Sequence, residues 1–121
     1  MLAYKVFGAG ITGLALEAMG RDVASGLTAA GSTKSDAYEC TFSVNAFTTV
    51  AAGTGAILDS HATKGDSQII YNGGDNVLKV YPPSGAQLNG LTADLPHLLA
   101  PKTSCLFPCI SATLWTGILS A

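Results

Sequence analysis

Ser67 to Gly85 reads SQIIYNGGDNVLKVYPPSG, and this stretch decides the fold. Gln68 to Tyr71 and Val77 to Tyr81 are two apolar runs of strand type. Between them, Asn72-Gly73-Gly74-Asp75-Asn76 supplies residues that accept the positive φ angles a tight reversal needs. Pro82-Pro83 ends the second run, because neither residue has an N–H to give to a sheet ladder. The stretch predicts a central β-hairpin.

Outward from the hairpin, the character stays β. Tyr38, Cys40, Phe42 and Val44 alternate with Glu39, Thr41 and Ser43, which predicts one strand with a buried face. Phe47-Thr48-Thr49-Val50 predicts a further strand, and Ala56-Ile57-Leu58 another after the turn Ala51 to Gly55. Beyond the hairpin come Gln87 to Leu91, a strand edge at Leu98-Leu99, and an apolar run from Thr103 to Ile110. Pro108 demotes that run to an edge or a bulge. Leu114 to Leu119 predicts a closing strand. Short strands at regular intervals with Gly, Pro and Asn turns predict an all-β fold, an antiparallel β-sandwich of jelly-roll type. Tyr71 and Tyr81, on its neighbouring strands, are expected to pair across the sheet.

The 121 residues make one domain, and only 12% of them are charged against 48% hydrophobic. That is about half the usual charged share. With a mean hydropathy of +0.37, some apolar surface is expected to be covered by other subunits. A net charge of −2 gives no electrostatic footprint for nucleic acid. No apolar run reaches the length of a membrane span, and Met1 to Lys5 lacks the charged and apolar regions of a signal peptide. The product is therefore expected to stay in the cytoplasm unless an assembly carries it out.

Gly8-Ala9-Gly10-Ile11-Thr12-Gly13 is a literal G-x-G-x-x-G. Ile11, Leu14, Ala15, Ala18 and Met19 follow at helical spacing, which predicts a short helix ended by Gly20. A dinucleotide fold requires a second parallel strand closing on an acidic residue about 20 positions on. Gly26 to Ser35 is instead rich in Gly, Ser, Thr and Ala, and Asp36 follows that loop rather than a strand. The expectation is an apolar N-terminal arm or short helix, with no bound cofactor.

His61, His97, Cys105 and Cys109 match no zinc spacing. On one strand Cys105 and Cys109 face the same way about 13 Å apart, too far for a disulfide, which needs Cα atoms within about 7 Å. Cys40, Cys105 and Cys109 are read as free thiols serving as small apolar residues. Trp115 and Tyr81 read as core or interface anchors. The acidic residues fall mostly in turn-forming loops. No catalytic constellation or metal site is visible, and the chain is not expected to be an enzyme.

Four phrases carry a resemblance: Leu27 to Thr33 (LTAAGST), Thr48 to Gly55 (TTVAAGTG), Leu78 to Gly85 (LKVYPPSG) and Ser111 to Trp115 (SATLW). Together they resemble a small β-rich virion protein of tailed bacteriophages, similar to capsid decoration (cement) proteins, over roughly Gly26 to Ala121. Pro108 and the three cysteines depart from the family's pattern. The resemblance implies a structural protein that binds the outer face of the major capsid lattice as a homotrimer and stabilises the head. A head-fibre or tail-fibre module presenting loops to the host surface is the alternative. Either implies a virion protein made in the host bacterial cytoplasm, with neither nucleic acid nor membrane as partner. Residues 1–26 are then read as a docking arm and residues 27–121 as the sandwich. The arm's contact residues are expected to be Tyr4, Val6, Phe7, Ile11, Leu14, Leu16, Met19 and Val23, with Leu27 beside them.

Overall fold

The computed structural model of the chain describes residues 22–119. The strands, in order, are β1 Val23–Thr28, β2 Tyr38–Glu39, β3 Val44–Thr49, β4 Gly55–Ile57, β5 Ser67–Asn72 and β6 Leu78–Tyr81. They continue with β7 Gln87–Leu88, β8 His97–Leu99, β9 Thr103–Ser111, β10 Leu114–Trp115 and β11 Ile118–Leu119. A single 3-10 turn, Lys34–Asp36, lies between β1 and β2. Its Asp36 carboxylate accepts the N–H groups of Ser32 and Thr33, and hydrogen bonding to Thr33 holds this carboxyl below its ordinary range.

The first six strands alternate between two sheets. β1, β3 and β5 are parallel neighbours in the larger one; β2, β4 and β6 are parallel neighbours in the smaller one. Val23 pairs with Val44 and Val44 with Ile69, while Tyr38 pairs with Ala56 and Ala56 with Val80. Parallel strands need a long crossover, and here each crossover runs through the opposite sheet. The result is a β-solenoid of three coils. The chain then reverses: β8 lies antiparallel on β6 and β9 antiparallel on β5, so the two strands cover the third coil, one in each sheet. β10 and β11 add to the far side of β9, and β7 pairs in parallel with β10.

The core lies between the sheets. Phe47, Ile70 and Phe107 meet Ala56, Leu78, Val80 and Leu99, all fully buried. Tyr38 stands edge-on to Phe47 with ring centroids 5.4 Å apart. Trp115 and Leu88 are buried beside the reversal. The three cysteines belong to this core as free thiols. Burial, with Asp59 nearby, pushes the Cys40 thiol up to about 12, so it stays protonated.

The corners of the coils are held by amide side chains. Gln68 donates to the carbonyls of Cys40 (3.0 Å) and Phe42 (2.9 Å) and accepts the N–H of Asp59 (2.8 Å). One side chain thereby ties the corners between coils one, two and three. At the other end of β5, Asn72 donates to the carbonyls of Asn76 (2.8 Å) and Leu99 (2.9 Å) and accepts the N–H of Gly74 (3.0 Å). Asn76 in turn donates to Val50 O on the coil below, at 3.0 Å. Buried backbone groups that leave a sheet at a corner need such partners.

These facts bear out the all-β expectation and correct its arrangement. The sheets are mixed, with parallel pairing through the coils, where an antiparallel jelly-roll sandwich was expected. β5 and β6 do not form a hairpin, because they lie in different sheets and each pairs with the coil before it. Neither Gly73 nor Gly74 has a positive φ; among the described residues the glycines that do are Gly26, Gly31, Gly53, Gly65 and Gly85. Small residues are needed at 73 and 74 for another reason. A Cβ on Gly73 would stand 2.8 Å from Phe47 O, and one on Gly74 would stand 2.7 Å from Val50 Cβ. The expected strand Tyr38 to Val44 is broken at Cys40 to Ser43, where the chain crosses from the smaller sheet to the larger. The stretch Gly26 to Ser35, read as a loop, begins inside β1, which runs across the expected boundary between residues 26 and 27. Pro108 interrupts nothing in β9 itself. It falls between the residues paired with β11 and those paired with β10. The expected closing strand is two short ones, β10 and β11, flanking Thr116 and Gly117.

Candidate interaction face

Strand alternation gives the larger sheet an inner and an outer face. On β5, Gln68, Ile70 and Asn72 are buried and Ser67, Ile69 and Tyr71 are exposed. The registers carry this outward set across the sheet. Val23 pairs with Val44, Val44 with Ile69, Ile69 with Leu106, and Leu106 with Ile118. One apolar row therefore crosses five strands, from β1 to β11. Its two ends, Val23 and Ile118, are 56% and 60% exposed. Beside it lies a second row, Ala46, Tyr71 and Ser104, and on the other side Ser67 pairs with Pro108. Neither of these rows carries a charged residue, so the outer face is a nearly neutral, largely apolar platform. Isolated exposed apolar residues are ordinary on a protein surface, but a contiguous row of this length is a candidate contact site.

An open depression of about 600 Å³ adjoins the row. Phe42, Val44, Ser67, Gln68 and Ile69 line it, together with Asp59 and Asp66. Asp22, just ahead of β1, clamps its rim: Ser43 Oγ donates to it at 2.6 Å and Ser43 N at 3.1 Å. Burial raises this carboxyl, and the two bonds from Ser43 outweigh it, so it lies below the ordinary carboxylate range.

Among the residues expected to make contacts, Tyr4, Val6, Phe7, Ile11, Leu14, Leu16 and Met19 lie outside the described residues. Val23 heads the apolar row, whereas Leu27 turns inward and packs against the core. Tyr71 and Tyr81 do not pair. Tyr71 stands on the outer platform, and Tyr81 is buried in the smaller sheet. Trp115 is 1% exposed, a core anchor as expected. Sequence reasoning missed Val44, Ile69, Leu106 and Ile118 as one surface. The alternation around Ile69 was a signal, but only the parallel register aligns these four residues.

No group of three or more His, Cys, Asp or Glu side chains able to hold a metal ion occurs among the described residues. His61 is exposed beside Asp59, with Nδ1 3.4 Å from the carboxylate. His97 is on β8 at the core, edge-on to Phe107 with centroids 5.9 Å apart. No described helix is long and apolar enough to cross a membrane. Comparison with protein-family models, with curated proteins and with solved structures finds no match.

Proposed function

We propose that this chain is a structural virion protein of a tailed bacteriophage, a decoration protein that binds the outer face of the major capsid lattice as a homotrimer. The observation that supports this reading best is the uncharged apolar row Val23–Val44–Ile69–Leu106–Ile118. A stabilising protein of this kind works by contact, and the row is the footprint we assign to the capsid. Three linked footprints on one trimer act together through effective concentration, so each one is weak alone. The phrases Thr48 to Gly55 and Leu78 to Gly85, which resemble such proteins, form corners and strands of the solenoid rather than the footprint. The site of action is then the capsid exterior, after synthesis in the host cytoplasm.

The stacked coils favour one second reading, a head-fibre or tail-fibre module. Coils that repeat along an axis present their corner loops in a line, and in repeat proteins such loops are often the binding face.

Co-sedimentation with undecorated expanded heads separates the two. A decoration protein saturates the heads at a simple ratio to the major capsid protein. Replacing Ile69 and Leu106 with Lys should lower the bound copies at least about tenfold, since each buried apolar side chain contributes roughly 1.5–3 kcal/mol. Failure of the wild-type protein to bind heads, with only a few copies in each virion, would favour the fibre module.

A further inference from the structure

The dipeptide Asn-Gly occurs twice, at Asn72-Gly73 and at Asn89-Gly90. Its chemistry is distinctive, because glycine has no side chain to keep its nitrogen away from the amide carbon of the preceding asparagine. Attack of that nitrogen needs a free glycine N–H, an Nδ2 that can leave, and an Oδ1 able to take up negative charge. The fold treats the two sites in opposite ways.

At the corner after β5 every one of these groups is engaged. Gly73 N–H donates to Phe47 O at 2.7 Å. Asn72 Nδ2 donates to Asn76 O and Leu99 O, and its Oδ1 accepts the N–H of Gly74. The side chain is also fully buried, away from the water that the reaction consumes. After β7 the arrangement is the reverse. Leu91 N–H closes a turn on Leu88 O at 3.0 Å, and Asn89 and Gly90 are exposed between them. Among the described residues, neither Gly90 N–H nor Asn89 Nδ2 has a hydrogen-bond partner. Asn89 Oδ1 accepts the N–H of Gly117 at 3.1 Å. A donor on the oxygen that gathers charge stabilises the anion that attack creates.

We propose that Asn89-Gly90 is a self-modification site, where the chain converts an amide to a carboxylate unaided while the fold protects Asn72-Gly73. Gly90 N gives its proton to solvent base and attacks Asn89 Cγ. The N–Cγ bond forms, the Cγ–Nδ2 bond breaks, and Nδ2 takes a proton from solvent and leaves as ammonia. The cyclic succinimide then takes up one water. Opening at the new bond gives aspartate; opening at the original peptide bond leaves the main chain running through Cγ, as isoaspartate. Either product makes the net charge of −2 more negative. Isoaspartate also lengthens the backbone beside the bond from Asn89 N–H to Trp115 O, which joins β7 to β10 at 2.9 Å. The inference rests on the two turns and is independent of the virion reading.

The test is incubation of the full chain in warm, mildly alkaline buffer, then peptide mapping with fragmentation that separates isoaspartate from aspartate. In the folded protein, position 89 should lose its amide at least about a hundredfold faster than position 72, since several hydrogen bonds must break at Asn72 before attack. Isoaspartate should be among the products. In guanidinium chloride both dipeptides are exposed, and their rates should converge. Gly90→Ala adds a Cβ that meets nothing within 4 Å, and it should slow the loss at least about tenfold by restricting the approach of N to Cγ. Equal rates at positions 89 and 72 in the folded protein would overturn the proposal. Aspartate without isoaspartate, or a rate unchanged in Gly90→Ala, would also overturn it, because Gly90 N would not be the nucleophile. Rates that stay apart in denaturant would refute protection of Asn72 by the fold.

Discussion

Gln68 holds three backbone groups that no sheet satisfies, and its side chain is almost wholly buried. Gln68→Leu keeps the volume and strands Asp59 N, Cys40 O and Phe42 O away from water. The expected loss is about 2–4 kcal/mol, measured by urea denaturation. A loss below about 0.5 kcal/mol would mean that the corners do not depend on this amide. His97 is a different case, because its Nε2 is buried with no hydrogen-bond partner. Burial holds this imidazole below its ordinary range, so the folded protein resists protonating it. Above a pH of about 6.5 the folded and unfolded forms are both neutral there. As pH falls from that value to the lower folded-state pKa, the unfolded chain takes up the proton first and stability declines; below the window the loss is complete. Urea midpoints at roughly pH 7.5 and 5.5 should therefore show wild type losing more stability than His97→Gln over that interval. An equal loss in the two proteins would contradict a neutral buried His97.

At the level of elements, the corner after β5 brings two coils into close approach. Gly73 N donates to Phe47 O at 2.7 Å, and a Cβ there would meet that same oxygen and the Tyr71 ring. A backbone carbonyl cannot swing aside as a side chain does. Gly73→Ala should therefore destabilise by about 1–3 kcal/mol, read from the thermal midpoint. Gly53→Ala meets no neighbour and suffers only from its positive φ, so its loss should be nearer about 1 kcal/mol. Reversal of that order would remove the contact with Phe47 as the reason for glycine at 73. Composition and alternation made most strands legible, β5 and β6 among them, whereas Gln87 to Leu91 read only as a short segment with a turn, and its first two residues form β7. Their pairing was not legible. Asn72 to Asn76 has the residues of a hairpin turn, and the same residues serve a corner because small size and amide chemistry suit both. Alternation through Tyr38 to Val44 likewise looks like one strand, because Phe42 continues the apolar alternation in sequence although it stands exposed in the corner.

For the molecule as a whole, the decisive sign was a recurrence rather than any single motif. The small-small-Gly phrase returns at Gly10, Gly31 and Gly53, 21 and then 22 residues apart, which is a coil length. Corner loops of unequal length blur that period, and the 3-10 turn at Lys34–Asp36 is one such irregularity. The apolar platform was invisible for the same reason. Its members are spread from Val23 to Ile118 and come together only through the stacking of coils and the reversed strand β9.

The reversal of the chain after β6 gives the molecule a direction. Its closed end finishes in the two-residue β7 and β11 and the three-residue β8, and such short edges are poor templates for another chain. The six-residue edge of β1 lies at the other end, and a copy exposing it would have a single adhesive end. Objects with one such end meet in pairs and stop, whereas objects with two grow into fibres. A variant that exposes the β1 edge should therefore yield a discrete dimer, and the reversed strands β8 and β9 act as a terminator against polymerisation.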